Sequence, residues 1–169
     1  ASLDRQSGRL DGLGLVLQRA TRQLREDFDY ILIDCPPVLG VLLINALAAC
    51  ERLIAPVQTE FLAIKGLERL QHTLEMVTKA RRSPLDVVIV PTFYDQRTRA
   101  SRDSLEMLRR DLADHLWDGL IPVDTLFREA SRAGLPPPMF DPRARGVEAY
   151  AGLLEQLVQR PPVASREAI

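Results

Sequence analysis

The sequence contains few of the residues that mark disulfide-stabilised, metal-binding or membrane proteins. Only two of its 169 residues are cysteines. Cys35 and Cys50 form no CxxC pair and have no neighbouring histidine, which argues against a thiolate metal site and favours a reducing cytoplasm. No apolar run reaches the length of a membrane span, and the first residues show no signal-peptide pattern. The net charge is −1, so no overall field attracts the chain to nucleic acid or to a membrane.

The glycines also form no cluster of the kind that binds phosphate groups. The nine glycines are scattered along the chain, so the sequence contains no glycine-rich loop whose backbone N–H groups could bind a triphosphate. Nothing in these 169 residues therefore cradles a triphosphate.

Short apolar runs alternate with amphipathic stretches along the chain. Runs of four apolar, often β-branched residues between turn residues are typical of strands covered on both faces, and apolar residues at steps of three and four predict helices. The predicted elements are a helix over 10–24, a buried strand over 30–33, a helix over 42–50, a strand over 52–57, a helix over 62–80, a strand over 87–90, a helix capped by Asp103, a short strand over 119–121 and a helix over 147–158.

This alternation predicts an α/β fold with a parallel sheet and helices on both of its faces. We expect one domain over residues 1–159, followed by a flexible tail over 160–169. In such sheets, ligands bind at the carboxyl ends of the strands. Polar residues follow four of the predicted strands there, at 34–37, 58–60, 92–95 and 122–124, and so predict a site at that edge.

Asp34 has the clearest chemical signal. It ends a run of four apolar residues, which is where P-loop nucleotide hydrolases place the carboxylate that holds Mg²⁺, usually through water. A turn aspartate that caps the next helix has the same pattern. Pro36 and Pro37 favour the first interpretation, because two prolines forbid an immediate helix and send the chain across the sheet edge as a stiff loop.

The segment 28–37, which reads FDYILIDCPP, resembles the ParA partitioning ATPases. Further similar blocks follow in the family's order, at 45–49, 56–60, 92–98, 121–122, 128–130 and 141–150. The resemblance covers nearly everything from 28 to 158. It implies a ParA/MinD-type, P-loop NTPase-like three-layer fold with a mostly parallel sheet. That fold would be incomplete at its N-terminal side, because the family's phosphate-binding loop lies upstream of the first block.

The resemblance also implies an ATP-dependent dimerising switch that uses Mg²⁺. The aspartate of the family's DxPP motif, here Asp34, belongs to the magnesium and switch II region together with Pro36 and Pro37. The family's adenine lies between the ends of later strands, which implies a base site at Thr92, Phe93, Pro122, Val123 and Asp124. Phe93 could offer a flat apolar face to the base, or it could be an ordinary core residue beside the sheet.

Three polar residues fall near the family's nucleotide-dependent dimer face: Asn45, Gln58 and Glu60. Two of them also have a simpler interpretation. Asn45 could cap the start of a helix, and Glu60 could be a solvated loop charge. We expect self-association, because an incomplete sheet exposes strand backbone and apolar surface.

A modest basic patch raises the possibility of DNA binding. Between Arg81 and Arg110 there are seven arginines and four acids, a local charge of +3. DNA-binding ParA proteins carry an arginine that matches Arg97, and Arg99 and Arg102 lie close to it in sequence. A solvated helix face would look the same. Where the family often has a second DNA-contacting arginine, this chain has Leu126, which favours protein cargo over DNA.

The leading hypothesis is a fragment, or a truncated paralogue, of a ParA-like ATPase that segregates or positions DNA or protein cargo. Its expected partners are a second copy and a ParB-like or other cargo adaptor. Without a triphosphate-binding loop, the chain alone should not hydrolyse ATP. The alternative is a non-enzymatic interaction or dimerisation module of the same family. A cobyrinate-type amide ligase on this scaffold is disfavoured, because the blocks at 92–98 and 141–150 are of the partition type.

Overall fold

The computed structural model describes residues 16–35, 40–81 and 84–160. Pro36, Pro37, the first part of the predicted helix over 10–24 and the predicted tail beyond residue 160 lie outside these ranges. The elements are α1 Val16–Gln23, α2 Val41–Ala49, β1 Arg52–Gln58, α3 Phe61–Ala80, β2 Asp86–Thr92, α4 Arg99–Asp111, α5 Leu126–Ala133, α6 Pro137–Phe140 and α7 Arg145–Gln159, with a 3₁₀ turn at Ala113–His115.

Strands β1 and β2 form a parallel pair, as the sequence predicted. Their register runs from Arg52 opposite Asp86 to Gln58 opposite Thr92. Helix α3, which is 20 residues long, makes the crossover between them. Because the strands are parallel, their carboxyl ends at Gln58 and Thr92 lie at the same edge of the sheet.

Helices cover both faces of this pair. Successive side chains of a strand point to opposite faces. Ile89 accordingly shares a core cluster with Leu67 of α3 and Leu108 of α4, whereas its neighbour Val90 shares another with Leu153 of α7. A third cluster joins α2 to α3. The architecture is therefore three-layered α/β with a parallel sheet, as predicted.

The predicted buried strand over 30–33 is wrong. Residues 30–35 have no regular secondary structure, and Leu32 is 91% exposed. The apolar run has the right composition for a strand, but strands are stabilised by hydrogen bonds and side-chain contacts with neighbouring strands. Within the described ranges, the sheet ladder contains only β1 and β2, and this segment pairs with neither.

The predicted short strand over 119–121 is also absent. Two isolated parallel bridges take its place, from Leu116 to Ile89 and from Pro122 to Tyr94. The chain bends at residues 118 and 119, and this bend interrupts the ladder. The stretch over 116–122 still runs beside β2 and its end, and Ile121 and Pro122 line the cavity described below.

Helix α4 begins four residues before the predicted cap. Thr98 is the cap, because its Oγ1 accepts a hydrogen bond of 3.3 Å from the N–H of Ser101, and Asp103 lies inside the helix. Helices α5 and α6 were not predicted, since each is too short for its periodicity to stand out. None of the helices in the described ranges is long and apolar enough to cross a membrane.

A buried ion pair ties the amino-terminal ends of both strands to α7. The Arg52 guanidinium lies 2.7 Å from the Asp86 carboxylate, and their side chains are 11% and 7% exposed. Arg52 also donates hydrogen bonds to the carbonyls of Leu157, at 2.7 Å, and Arg160. These carbonyls belong to the end of α7, where helices leave such groups without partners.

Candidate functional site

The carboxyl edge of the sheet opens into a cavity of about 360 Å³. The end of β2 and the extended stretch beside it supply one part of its lining, and helices α5 and α7 supply the rest. All five residues of the predicted base site line it together: Thr92, Phe93, Pro122, Val123 and Asp124.

Main-chain hydrogen bonds hold the extended stretch against the end of β2. The N–H of Ile121 donates to the Pro91 carbonyl at 2.8 Å, that of Tyr94 to the Ile121 carbonyl at 3.1 Å, and that of Val123 to the Tyr94 carbonyl at 3.0 Å. The stretch therefore behaves like a neighbouring strand at this edge, although it forms no continuous ladder.

Aromatic rings give the cavity its apolar character. Phe127 of α5 and Tyr150 of α7 stack with ring centroids 6.0 Å apart and planes 23° apart, and Phe93 contributes a largely exposed ring. Thr125, Arg128 and Ser131 supply polar groups. A cavity of this size with aromatic lining and few polar groups suits a flat ring system such as a nucleobase.

Phe127, Tyr150 and Arg128 were not predicted as site residues. Tyr150 and Arg128 lie in family-like blocks, 141–150 and 128–130, and that was the only signal in the sequence. Phe127 lies in a helix that the sequence did not reveal, so nothing pointed to it.

Asp124 lines the cavity, but main-chain groups engage its carboxylate. Oδ1 accepts a hydrogen bond of 3.0 Å from the N–H of Leu126, and Oδ2 one of 2.9 Å from the N–H of Gly146. A Cβ at Gly146 would lie 2.7 Å from the ring of Phe127, so the two helices approach closely here. Asp124 thus joins the starts of α5 and α7 and shapes the cavity. Its contact with a ligand stays a prediction.

Asp34 lies in the segment over 28–35, which contains no helix or strand and is here called the unpaired segment, and its side chain is exposed. Burial, and next the neighbouring Asp34 carboxylate, raise the pKa of the Cys35 thiol. An exposed carboxylate is a suitable ligand for a hydrated Mg²⁺, so the chemistry of this side chain fits the predicted metal role. Pro36 and Pro37 lie outside the described residues.

Asn45 lies in the middle of α2, so the alternative that it caps the start of a helix is wrong. Its Nδ2 donates to the Val41 carbonyl at 3.0 Å. Its Oδ1 is buried and has no hydrogen-bond partner among the described residues, an uncommon arrangement that calls for an explanation. Gln58 is exposed at the end of β1, and Glu60 is exposed directly before α3.

Arg97, the first of the DNA candidates, is engaged in an ion pair. Its guanidinium donates to both carboxylate oxygens of Asp95, at 2.9 and 2.7 Å. This lowers the pKa of Asp95 to about 2, chiefly through the side-chain hydrogen bond from Arg97. Asp95 therefore remains charged at neutral pH and offsets the charge of Arg97.

The other two DNA candidates also have partners within the chain. Arg99 lies 3.3 Å from the carboxylate of Asp103, one helical turn away. Arg102 donates to the carbonyl of Gln96 at 3.1 Å and keeps its net charge. All three arginines are exposed, but two of their charges are matched by acids, so the patch is weaker than its arginine count suggests.

Comparison with known proteins finds relatives of one kind. A family model described as an AAA domain matches residues 4–87. The chain is 36% identical over 142 residues to the sporulation initiation inhibitor protein Soj of Bacillus subtilis, covering 83% of this chain and 56% of Soj. It is 33% identical over 145 residues to the chromosome partitioning protein ParA of Myxococcus xanthus, covering 85% of this chain and 51% of ParA.

A solved structure agrees on the fold. A cobyrinic acid a,c-diamide synthase from Mycobacterium smegmatis, with bound ADP and magnesium, superposes with a TM-score of 0.70 at 30% identity, covering 92% of this chain and 57% of that one. The chain spans about half the length of the curated relatives it matches. Its parallel α/β architecture and its sequence similarity to Soj and ParA lead to one conclusion: the chain belongs to the ParA/MinD family of P-loop ATPases.

Proposed function

We propose that this chain is the carboxy-terminal part of a ParA-like ATPase, a dimerising switch that uses ATP to segregate or position DNA or protein cargo. The main support is the cavity of about 360 Å³ at the carboxyl edge of the sheet. A nucleobase would lie there against the aromatic rings. The names of the relatives, such as chromosome partitioning protein ParA, support a role in segregating or positioning cargo.

Asp34 is the residue that we assign to Mg²⁺. Its carboxylate would hold the hydrated ion, and the ion would offset the charge of the nucleotide's phosphates. The 169 residues contain no glycine-rich loop for a triphosphate. We therefore expect this polypeptide alone to bind the base of ATP without gaining affinity from its phosphates, and not to hydrolyse it.

A second copy of the chain is the partner that the proposal requires. Asn45, Gln58 and Glu60 are assigned to the face at which nucleotide promotes dimerisation. The Oδ1 of Asn45, which has no hydrogen-bond partner among the residues that the structure describes, supports this role, because a buried acceptor without a partner destabilises the chain in isolation. A ParB-like or other adaptor would link the dimer to cargo. The paired arginines make protein cargo the better-supported choice over DNA.

Filling the cavity tests the proposal. Thr125 lines it with an exposed side chain that caps no helix N–H group, so Thr125→Trp should block the base without disturbing the fold. Thr78→Trp, at an exposed threonine of α3 outside the cavity, is the matched control. Adenosine and Mg-ATP are titrated into the ¹⁵N-labelled chain, and the chemical-shift changes give both affinities.

We expect adenosine and ATP to bind with similar, weak affinity. Thr125→Trp should weaken both at least tenfold, and Thr78→Trp neither. No shift with adenosine, or equal binding by Thr125→Trp, would contradict the base site. Binding of ATP far tighter than that of adenosine would show that the chain does hold the triphosphate.

A non-enzymatic interaction module is the second candidate. The exposed apolar side chains of Phe28, Tyr30 and Leu32 favour it, because such a surface suits a protein partner. Sedimentation measurements with and without Mg-ATP separate the two candidates. A module would associate equally in both conditions and in Thr125→Trp, whereas a nucleotide-dependent switch would not.

An amide ligase on the same scaffold is a third candidate, because the superposed structure from Mycobacterium smegmatis is that of a cobyrinic acid a,c-diamide synthase. The chain is incubated with Mg-ATP, glutamine and a corrinoid carboxylate, and the products are analysed by mass spectrometry. Formation of an amide would favour the ligase. We expect none, since the curated relatives carry partition names.

A further inference from the structure

A series of polar groups connects the ends of both strands to the start of α4. Thr59 and Ser101 are 1% and 5% exposed, and their hydroxyl oxygens lie 2.5 Å apart. The Thr59 hydroxyl also lies 3.4 Å from the carbonyl oxygen of Phe93. The N–H of Asp95 donates to the Ser101 hydroxyl at 3.1 Å, and that of Thr59 donates to the Thr92 carbonyl at 3.0 Å.

One arrangement of protons satisfies all of these groups. The N–H of Asp95 uses Ser101 as an acceptor, which leaves the Ser101 proton to donate to Thr59 and the Thr59 proton to donate to the Phe93 carbonyl. The two hydroxyls therefore hold the main chain on both sides of Tyr94. We call this pair, Thr59 and Ser101, the hydroxyl clamp. Because buried hydroxyls need partners, the clamp favours one conformation of the held segment.

Phe93, inside the held segment, has an unusual backbone conformation. Its φ is 53°, in the left-handed region. Bulky residues rarely adopt this conformation, and they do so mainly where the surroundings impose it, often at ligand sites. The ring is 60% exposed where it lines the cavity, so burial of the ring does not explain the strain. Glycine would adopt this φ freely, which points to a role for the ring itself.

We propose that Thr59 and Ser101 are positioning residues for nucleobase recognition, because their clamp holds Phe93 in the left-handed conformation that places its ring at the base cavity. The inference rests on the proposed function, since it requires the base to bind there. Thr59 also lies between Gln58 and Glu60 in the sequence. The clamp thus joins the base cavity to the segment that we assign to the dimer face.

Removing each hydroxyl tests the clamp in the full 169-residue chain. Thr59→Val and Ser101→Ala delete one hydroxyl each with little change in volume, and Thr59→Ser keeps the group as a conservative variant. Ser104→Ala is the matched control, because Ser104 is another buried serine of α4 and lies outside the clamp. Adenosine is titrated by NMR, the Cα shift of Phe93 reports its φ, and urea denaturation reports stability.

We expect Thr59→Val and Ser101→Ala to weaken adenosine binding at least tenfold and to move the Phe93 Cα shift toward values typical of negative φ. Ser104→Ala and Thr59→Ser should do neither. This pattern separates positioning from a general loss of stability, since Ser104→Ala removes a buried hydroxyl from the same helix. Should Thr59→Val fail to fold, Ser101→Ala is the variant that decides.

Two negative outcomes have different meanings. If the unmodified chain binds adenosine and both clamp variants bind it as tightly as Ser104→Ala does, the positioning role is overturned and the proposed function stands. If the unmodified chain shows no adenosine shifts, the proposed base site is wrong and the positioning proposal falls with it.

Discussion

At the scale of single residues, Phe93 holds a conformation that a smaller residue would adopt more easily. The left-handed region destabilises a non-glycine residue by about 1–2 kcal/mol, and a largely exposed ring regains little of this through burial. We predict that Phe93→Gly leaves the free energy of unfolding unchanged or raises it by up to about 1 kcal/mol, after allowing for the greater freedom of glycine in the unfolded chain. Adenosine affinity should fall, because the ring is lost. Urea denaturation and NMR titration measure the two effects.

Phe93→Leu is the comparison for this prediction. Leucine keeps the strained backbone and an apolar side chain but has no flat face, so we expect weaker adenosine binding and no gain in stability. A loss of about 3 kcal/mol or more in Phe93→Gly, the range for deleting a core phenylalanine, would instead show that the ring stabilises the fold as much as a core residue does.

The ion pair of Asp95 and Arg97 determines how much of the basic patch is available to an anion. The pKa of Asp95 is lowered from 3.8 to about 2. The pair is therefore fully formed above the ordinary pKa and is lost as the pH falls through about 2. We predict that Asp95→Asn releases Arg97 at neutral pH and makes the plot of log affinity for duplex DNA against log salt steeper by about one unit, as for one further phosphate contact.

Fluorescence anisotropy across a salt series measures that slope. Asp95→Asn combined with Arg97→Gln should return it to the value of the unmodified chain, because the released guanidinium is removed again. A double variant as steep as Asp95→Asn alone would show that Arg97 is not the group that contacts phosphate.

At the scale of secondary-structure elements, the Arg52–Asp86 pair joins the ends of three elements: the starts of β1 and β2 and the end of α7. Removing Arg52 would leave the Asp86 carboxylate buried without its partner and the end of α7 without its donor. We predict that Arg52→Met lowers the free energy of unfolding by about 3–5 kcal/mol, the range for breaking a buried pair from one side. Adding Asp86→Leu should restore most of it, because no buried charge remains. Urea denaturation of the two variants measures both changes.

Arg110→Met is the control for loss of an arginine. Its ion pair with Asp111 lies on the surface, so we expect no measurable change. If Arg52→Met were equally silent, the buried pair would contribute nothing to the attachment of α7.

The elements show why sequence alone predicted some strands and not others. The apolar runs within β1 and β2 formed strands because each has the other as a hydrogen-bonded neighbour across a helical crossover. The run over 30–33 has equal apolar character, but pairing depends on a neighbour that composition does not reveal. The cap of α4 was predicted wrongly for a similar reason. Thr98 and Asp103 are both good cap residues, and only the backbone conformation decides between them.

In the candidate site too, some features were predictable from the sequence and others were not. The ends of β2 and of the stretch after Leu120 were expected to meet, because parallel strands bring their carboxyl ends together. The contact between Thr59 and Ser101 spans 42 residues, and nothing in the sequence marks either hydroxyl as part of a pair. Strand topology was thus predictable, whereas specific side-chain contacts between distant segments were not.

At the scale of the whole molecule, the distribution of exposed apolar side chains is uneven. Phe28, Tyr30 and Leu32 are exposed along the unpaired segment. Main chain that lies outside any sheet and carries exposed apolar side chains is a site for pairing with another chain, and soluble monomers rarely expose large apolar patches.

We therefore predict that the chain self-associates through this segment and that Leu32→Lys reduces the association, because a lysine places a charge where a second copy would pack. Sedimentation velocity over a range of concentrations should show the unmodified chain moving from monomer to dimer or larger species, and Leu32→Lys remaining monomeric over more of that range. Leu62→Lys is the matched control, since Leu62 is an exposed leucine at the start of α3, outside the segment, and should change nothing. A chain that is monomeric at every concentration, or one that both lysine variants affect equally, would rule out the segment as the surface of contact.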